Sequence, residues 1–432
     1  MSPPGVHFLA EVFRYYIVPP LVVYGLLRFA DRTFTLDLPV YAFAGAWVFT
    51  LPVYSKLQAI YTNFIHTREA RSLGAEVIPQ VQGKWPGNID ILLSLASKKE
   101  PYIGDGFSKR IAGLGSTFAI TTLGDMRAIT INPENIKLML ATDFDNYVKG
   151  RQFNATMQSV LGVGVFNSDG DMWQFHRKIT RPFFARERVT DFTTFDNKST
   201  LAIRKMQDRF AEGYALDFQD ICSRFTLDSA CEFLLGTPIH SLDDPLPLPG
   251  QDDSHLRTSS GRFAKAFANA QVTISKRGRL GMFWRLREFF KDSTVDDMIV
   301  IKAFIEPIVK AAIEKKEATE GKMEEVTLLD HLVNETDDMK IIVDEVLNIM
   351  LAGRDTTASL LTFVTYCLAM HPEALARLRE EIISTIGKER APTLDDLRGM
   401  KYLRAVLNET LRLFPCVRFF SLVSSAHVLI QN

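Results

Sequence analysis

Ala352-Gly353-Arg354-Asp355-Thr356-Thr357 interrupts a long apolar stretch, Ile341 to Met370. An acid followed by hydroxyls, Asp355 then Thr356 and Thr357, can pass protons to a buried ligand. Gly353 removes side-chain bulk where another group must approach the backbone. The same six residues also suit a plain helix whose Thr hydroxyls bond back to the preceding turn. The residues alone leave both readings open.

A second group lies in Gly162 to Phe184, GVGVFNSDGDMWQFHRKITRPFF. Trp173 and Arg177 are four residues apart and share a helix face. An indole N–H beside an arginine fork can hold a carboxylate, or the two can form a cation–π pair. Asn167, Ser168 and Asp169 are N-cap types for the helix that carries them. Lys178 and Arg181 add positive charge, as a solvated face or a docking patch for an acidic partner. A third group, Glu409 and Arg412, lies off the apolar stripe Met400, Leu403, Leu407, Leu411. Exposed, that pair contributes little; buried, it must anchor a network.

The elements that position these groups are mostly helical. Ile341 to Met370 would span about 45 Å at the helical rise, ending where His371-Pro372 stops it. Asp344, Glu345, Arg354 and Asp355 inside it oppose a membrane span, so it reads as the central buried helix of a domain. Further helices are predicted over 195–236, 262–336, 373–386 and 396–414. A small β element precedes them: strands at 116–122 and 128–131 joined at Gly124-Asp125, then a helix from Pro133 to Thr142. Thr237 to Gly261 reads as an exposed loop, Gly74 to Pro101 as a linker, and the charges of 314–325 as a solvated face.

The N-terminal residues differ from the rest. Tyr15 to Ala30 and Leu38 to Tyr54 are apolar runs near the lower length limit of a bilayer span, expected to be one or two membrane anchors, with a buried hydrophobic arm as the alternative. Positive residues after the second run place the body on the cytoplasmic side. The chain of 432 residues carries a net charge of −1, which gives no electrostatic case for nucleic acid. Four scattered cysteines (Cys222, Cys231, Cys367, Cys416) show no zinc spacing and suit a reducing compartment.

Taken in order, Trp173-x-x-x-Arg177, Ala352-Gly353-x-Asp355-Thr356-Thr357 and Glu409-x-x-Arg412 with Phe414-Pro415 resemble the cytochrome P-450 superfamily of haem-thiolate monooxygenases. The wording of the last two segments is similar to the fungal alkane and fatty-acid hydroxylases. The resemblance implies a mainly α fold with small β-sheets and the cofactor haem b. It implies that Trp173 and Arg177 hold a propionate, that Asp355 and Thr356 relay protons, and that Gly353 leaves room above the haem. Glu409 and Arg412 become a structural pair. Electrons come from NADPH through a flavoprotein reductase docking near Lys178 and Arg181. The substrate is a hydrophobic small molecule, and the location is the endoplasmic reticulum membrane with the body cytoplasmic.

The family's iron-binding loop, Phe-x-x-Gly-x-Arg-x-Cys-x-Gly, has no counterpart in this sequence. Cys416 follows the Glu-x-x-Arg helix directly, and Cys367 falls inside the long apolar helix. No metal ligand is therefore assigned: the axial cysteine is absent. The fold is expected to be C-terminally truncated, with an anchor at 1–60, a linker at 61–101, a monooxygenase body at 102–415 and an unrelated tail at 416–432. Such a chain is expected to be inactive as written. The alternative is a haem-free, membrane-anchored derivative binding lipid or a partner.

Overall fold

The computed structural model describes residues 3–96, 112–184, 192–248, 258–318, 326–417 and 422–424. The chain divides into two compact units: residues 1–148 with 275–293 and 422–432, and residues 149–274 with 294–421. The end of the linker (97–101) and the middle of the loop (249–257) expected from sequence, the segment 319–325 and most of the tail fall outside the described residues.

In the first unit, α1 (Pro4–Tyr16) and α2 (Val18–Phe34) meet at Ile17, just before Pro19-Pro20 at the start of α2. That junction splits the first apolar run. Thr35 turns left-handed and ends α2, and α3 (Val40–Ser72) follows. The expected transmembrane helix is not found: no helix among the described residues is long and apolar enough to cross a membrane. α2 holds 17 residues and carries Arg28, Asp31 and Arg32, while Tyr41, Trp47, Thr50, Pro52 and Tyr54 dilute the apolar start of α3. Large apolar side chains of both helices are nonetheless exposed, among them Phe29, Phe34, Val48, Phe49, Leu57 and Phe64.

After α4 (Ile89–Ala96), strand β1 (Thr117–Thr122) pairs antiparallel with β2 (Asp125–Thr130). Thr122 faces Asp125, so the turn is Leu123-Gly124 and not Gly124-Asp125. Both turn residues take positive φ, +49° and +88°. That is the combination whose twist matches a two-residue hairpin. Phe118 and Ile120 turn inward onto Val81 and Ile91. α5 (Pro133–Lys137), capped by Asn132, continues as a wider π turn over Leu138–Thr142. β3 (Tyr147–Val148) pairs with β4 (Val423–Ser424). The unit also holds a buried Arg277–Glu288 pair joined by the half-buried Asp292: Arg277 donates to Glu288 at 2.9 and 2.5 Å and to Asp292 at 2.5 Å, its guanidinium stacked 4.2 Å from the Trp284 ring centre.

The second unit is helical. It contains α6 (Gly150–Leu161), α7 (Gly170–Thr180), α8 (Phe192–Ala211), α9 (Phe218–Leu235), the start of α10 (Ser259–Leu280) and α12 (Val295–Ala318); α11 (Trp284–Arg287) belongs to the first unit. Then come α13 (Leu328–Glu335), α14 (Met339–Met370), α15 (Pro372–Ile386), α16 (Leu394–Gly399) and α17 (Lys401–Leu413). Helix starts follow local chemistry. Asp217 accepts from Gln219 and Asp220 at the head of α9, Asp338 accepts from Lys340 and Ile341 at the head of α14, and Thr327 forms a reciprocal capping box with Asp330. Pro372 occupies the first turn of α15, where its missing N–H costs nothing.

α14 is unbroken through the polar hexapeptide. Its first half is the core of the unit: Ile342, Val343, Val346, Leu347 and Met350 pack with Leu227, Cys231, Phe263, Phe267, Ile305 and Leu332. Its second half is not buried as expected from sequence; Tyr366 and Met370 are more than half exposed. The apolar composition of that half does not distinguish a covered face from an open one.

Candidate functional site

Asp355 and Thr356 sit mid-way along α14. The Asp355 carboxylate is half-buried and lies 3.5 Å from Nη1 of its neighbour Arg354. With its amide nitrogen turned toward the carboxylate, Gln271 of α10 donates to Asp355. Burial pushes the Asp355 pKa above the usual carboxylate value, and the Arg354 charge pulls against that shift. The Thr356 hydroxyl donates to Ala352 O at 2.7 Å, and Thr356 O accepts from Cys416 Sγ at 3.2 Å. The back-bonded arrangement left open by the sequence is thus the one adopted, and it leaves Thr356 Oγ1 able to accept a further hydrogen bond. A Cβ built on Gly353 meets Ala230 Cβ of α9 at 3.7 Å, an ordinary contact. This glycine therefore faces α9.

Trp173 and Arg177 lie on one face of α7, the former half-buried and the latter exposed. α7 is fixed to α14 through its buried residues His176 and Thr180. His176 Nδ1 lies 2.7 Å from Glu345 Oε2, and the Thr180 hydroxyl donates to Glu345 Oε1 at 2.8 Å. His331 of α13 contacts Ile179 O at 2.6 Å. Asp355 stands about 15 Å beyond Glu345 along α14, at 1.5 Å per residue. Lys178 and Arg181 are exposed beside Arg177. Glu409 and Arg412 form a two-pronged pair at 2.7 Å on the exposed face of α17. α17 meets α14 through Phe414, stacked on Phe363 at 4.4 Å between ring centres.

Sequence reading missed the cluster that holds the loop before α7. Three α14 side chains accept its backbone N–H groups: Asp344 from Val163 at 3.0 Å, Glu345 from Val165 at 2.9 Å and Asn348 from Phe166 at 2.9 Å. Asn348 returns a bond to Leu161 O at 2.8 Å. Gly162 and Gly164 allow the approach, since a Cβ on either would overlap Asp344 or Asn348. The available signal was the pair of glycines in GVGVF together with two acids in an apolar helix. Asp169, expected as an N-cap, bonds elsewhere: it accepts from the N–H groups of Lys149 and Gly150 at 2.8 and 2.9 Å, and these bonds hold its pKa down against the opposing effect of burial.

The fold and these groups define a helical protein with an acid–alcohol pair on its core helix and an indole–guanidinium pair on an adjoining one. The sequence model of the cytochrome P450 family matches residues 93–431. Relatives include cytochrome P450 monooxygenase pvhE of Talaromyces variabilis, 33% identical over 392 residues, which cover 86% of this chain and 69% of that protein. Cytochrome P450 52E1 of Candida apicola is 33% identical over 371 residues (83% and 69%), and cytochrome P450 52-E3 of Starmerella bombicola 34% over 374 residues (83% and 69%). The chain belongs to the cytochrome P450 family of haem-dependent monooxygenases.

The residues present fit the haem in part. The exposed Arg177 beside Trp173 supplies donors suited to a propionate, and Asp355 with Thr356 supplies an acid and a hydroxyl. The iron ligand is not matched among the described residues. Cys222 and Cys231 are buried in α9, and burial pushes the Cys222 thiol up to about 11 and Cys231 well above the ordinary thiol value, so both stay protonated. The Cys416 thiol is engaged with Thr356 O.

Proposed function

We propose that this fold serves insertion of one oxygen atom from O2 into an aliphatic or lipid-like substrate, and that the chain as written does not itself turn over. The observation that carries the first part is the pairing of a half-buried Asp355 with Thr356 on the core helix. Asp355 has its pKa raised by burial, so it can hold and release a proton closer to neutrality than a free carboxylate. The Thr356 hydroxyl, anchored by donation to Ala352 O, accepts a proton from one side and offers its own to the other only after its rotor turns. Trp173 and Arg177 would hold a propionate of haem b, which when bound supplies the oxygen-activating chemistry.

The exposed Lys178 and Arg181 would receive an acidic NADPH-dependent flavoprotein reductase. The exposed apolar faces of α2 and α3 would rest in the cytoplasmic leaflet of the endoplasmic reticulum, with the body in the cytoplasm. The apolar substrate is inferred from the resemblance of the Ala352–Thr357 and Glu409–Pro415 segments to the fungal alkane and fatty-acid hydroxylases, together with the apolar residues around Gln152 to Phe166 and Leu347 to Leu351.

The placement of the four cysteines favours a second reading, a haem-free derivative that binds lipid or a partner. Purified chain loaded with haemin distinguishes the two. Sub-stoichiometric haem without a thiolate-type spectrum in the reduced CO complex is expected. Stoichiometric haem with that spectrum would refute the inactivity proposed here. Titration of the haem-free chain with long-chain fatty acids, followed by tryptophan fluorescence, tests substrate class; absence of saturable binding would overturn it.

A further inference from the structure

Residues 275–293 carry six basic side chains and two acidic ones, a net of +4 within a chain whose total is −1. Both acids are engaged inside the segment. Glu288 and Asp292 accept from the buried Arg277, and Glu288 also accepts from Ser293 N–H at 2.7 Å. Arg277 in turn stacks on Trp284 of α11. These bonds tie the end of α10, α11 and the residues after it into one loop. The next acids along the chain, Asp296 and Asp297, open α12, where a helix start favours them.

The loop presents basic and aromatic side chains outward. Arg279, Arg287 and Lys291 are exposed. Phe290 is 85% exposed, more than any other large apolar side chain among the described residues. Phe289 instead meets α1: Gly5 N–H donates to Phe289 O at 3.0 Å, and a Cβ on Gly5 would overlap the Phe289 ring. Phe8 of α1 packs with Phe283, 6.2 Å between ring centres. α1 thereby buries Phe8 and leaves Val6, Leu9 and Phe13, spaced by three and four, as an exposed apolar stripe. A cluster of cations suits an anionic partner, and a bare phenylalanine beside it suits an apolar one. A bilayer containing anionic lipid offers both, phosphate at the headgroups and hydrocarbon beneath. An acidic protein surface would satisfy the arginines and leave Phe290 without a partner.

We propose that the loop 279–291 is a contact site for anionic phospholipid. Arg279 and Arg287 donate to headgroup phosphates, and Phe290 enters the acyl boundary. The guanidinium fork matches the paired oxygens of a phosphate, and Lys291 adds charge without that geometry. The site goes beyond the apolar membrane contact proposed above for α2 and α3, because it selects lipid charge; neutral membranes read that contact and anionic membranes read this site.

The test uses the full chain with two sets of vesicles, phosphatidylcholine alone and phosphatidylcholine with about 20% phosphatidylserine. Co-sedimentation is expected to show tighter binding to the second set, with the increment removed by about 0.5 M salt. Arg279→Gln combined with Arg287→Gln should lower binding to anionic vesicles roughly twentyfold, at about fivefold per arginine, and leave binding to neutral vesicles unchanged. Phe290→Ser should lower it by about fivefold or more, through loss of one buried ring. Lys310→Gln, exposed on α12, should change it by less than about twofold. Should a variant not fold, hydrogen exchange of the unaltered chain reads the site directly: anionic vesicles should slow the amides of 281–291 beyond what neutral vesicles do. Equal binding to both vesicle sets, no added protection of those amides, or a full increment in the double arginine variant would overturn the proposal. Unchanged binding by Phe290→Ser would overturn it too, and would assign the patch to an acidic protein instead.

Discussion

Replacing Glu345 with alanine should release the loop at Val163–Phe166 without unfolding the rest of the helical unit. Glu345 is fully buried and contacts three groups from α7 and the preceding loop: Val165 N–H, the Thr180 hydroxyl and His176. Each buried donor left without a partner costs about 1–3 kcal/mol. Thr180 keeps a bond to His176 O at 2.7 Å, so its loss is the smallest. Val165 has no such substitute shown, and His176 loses the carboxylate 2.7 Å from its Nδ1, a contact made outside hydrogen-bonding geometry. Truncation of a buried, paired acid typically costs about 3–5 kcal/mol, and the lost Val165 bond together with the lost His176 contact is placed at the low end of that range. The assay is native-state hydrogen exchange. Opening of the loop by ~3 kcal/mol corresponds to about a hundredfold faster exchange of the Val163 to Phe166 amides, with the α9 amides much less affected. Glu345→Gln retains an acceptor and should recover at least half of the effect. Exchange of the loop accelerated less than about fivefold in the alanine variant, a change below about 1 kcal/mol, would refute the claim that this carboxylate holds the loop.

Gly164→Ala places a methyl against Asn348 and should lower stability by about 1–3 kcal/mol, the usual range for overpacking, read by the denaturant midpoint. Asp355→Asn should stabilise the chain at neutral pH. The native Asp355 pKa is raised above 3.8 by burial, so wild type loses stability as pH rises from about that value through the raised one, and the variant does not. Below pH 3.8 both carboxyl states are protonated and the two proteins should converge; thermal unfolding from pH 3 to 7 measures it. A thiol reagent at pH 8 should modify Cys367 and Cys416 in the native chain and spare Cys222 and Cys231, whose thiols burial keeps protonated; mass spectrometry locates the label.

Helical content was legible because apolar periodicity and capping chemistry agree locally. Pro372 ending one helix and opening the next is visible from residue type alone. The turn at Leu123-Gly124 was displaced by one residue from expectation because Leu123 takes a left-handed conformation that its type does not advertise. Trp173, Arg177, Asp355 and Thr356 could be singled out as candidates because their spacing limits what they can do. Asp344, Glu345 and Asn348 were not recognised as a cluster, since their partners lie about 180 residues earlier. Helical spacing carries no information about contacts at that separation. Arg354 was likewise invisible: its burial, and the lack of an acceptor for its Nε–H among the described residues, are properties of space and not of sequence. The membrane expectation rested on counts of apolar residues in two runs, and the helix boundary at Ile17 and the aromatic and polar residues of α3 divide those runs into shorter pieces.

The latch from α14 to the Val163–Phe166 loop also sets when this protein can finish folding. Its three hydrogen bonds join residues separated by 181, 180 and 182 positions. At about 5–20 residues per second, a ribosome needs roughly 10–40 s to deliver Asp344, Glu345 and Asn348 after the loop has been made. Throughout that interval the loop amides lack their native acceptors and α7 lacks the helix on which it rests. The long apolar stretch Ile341 to Met370 is therefore also the segment whose arrival closes an early part of the structure, so the nascent chain is most exposed to misassociation just before synthesis passes α14.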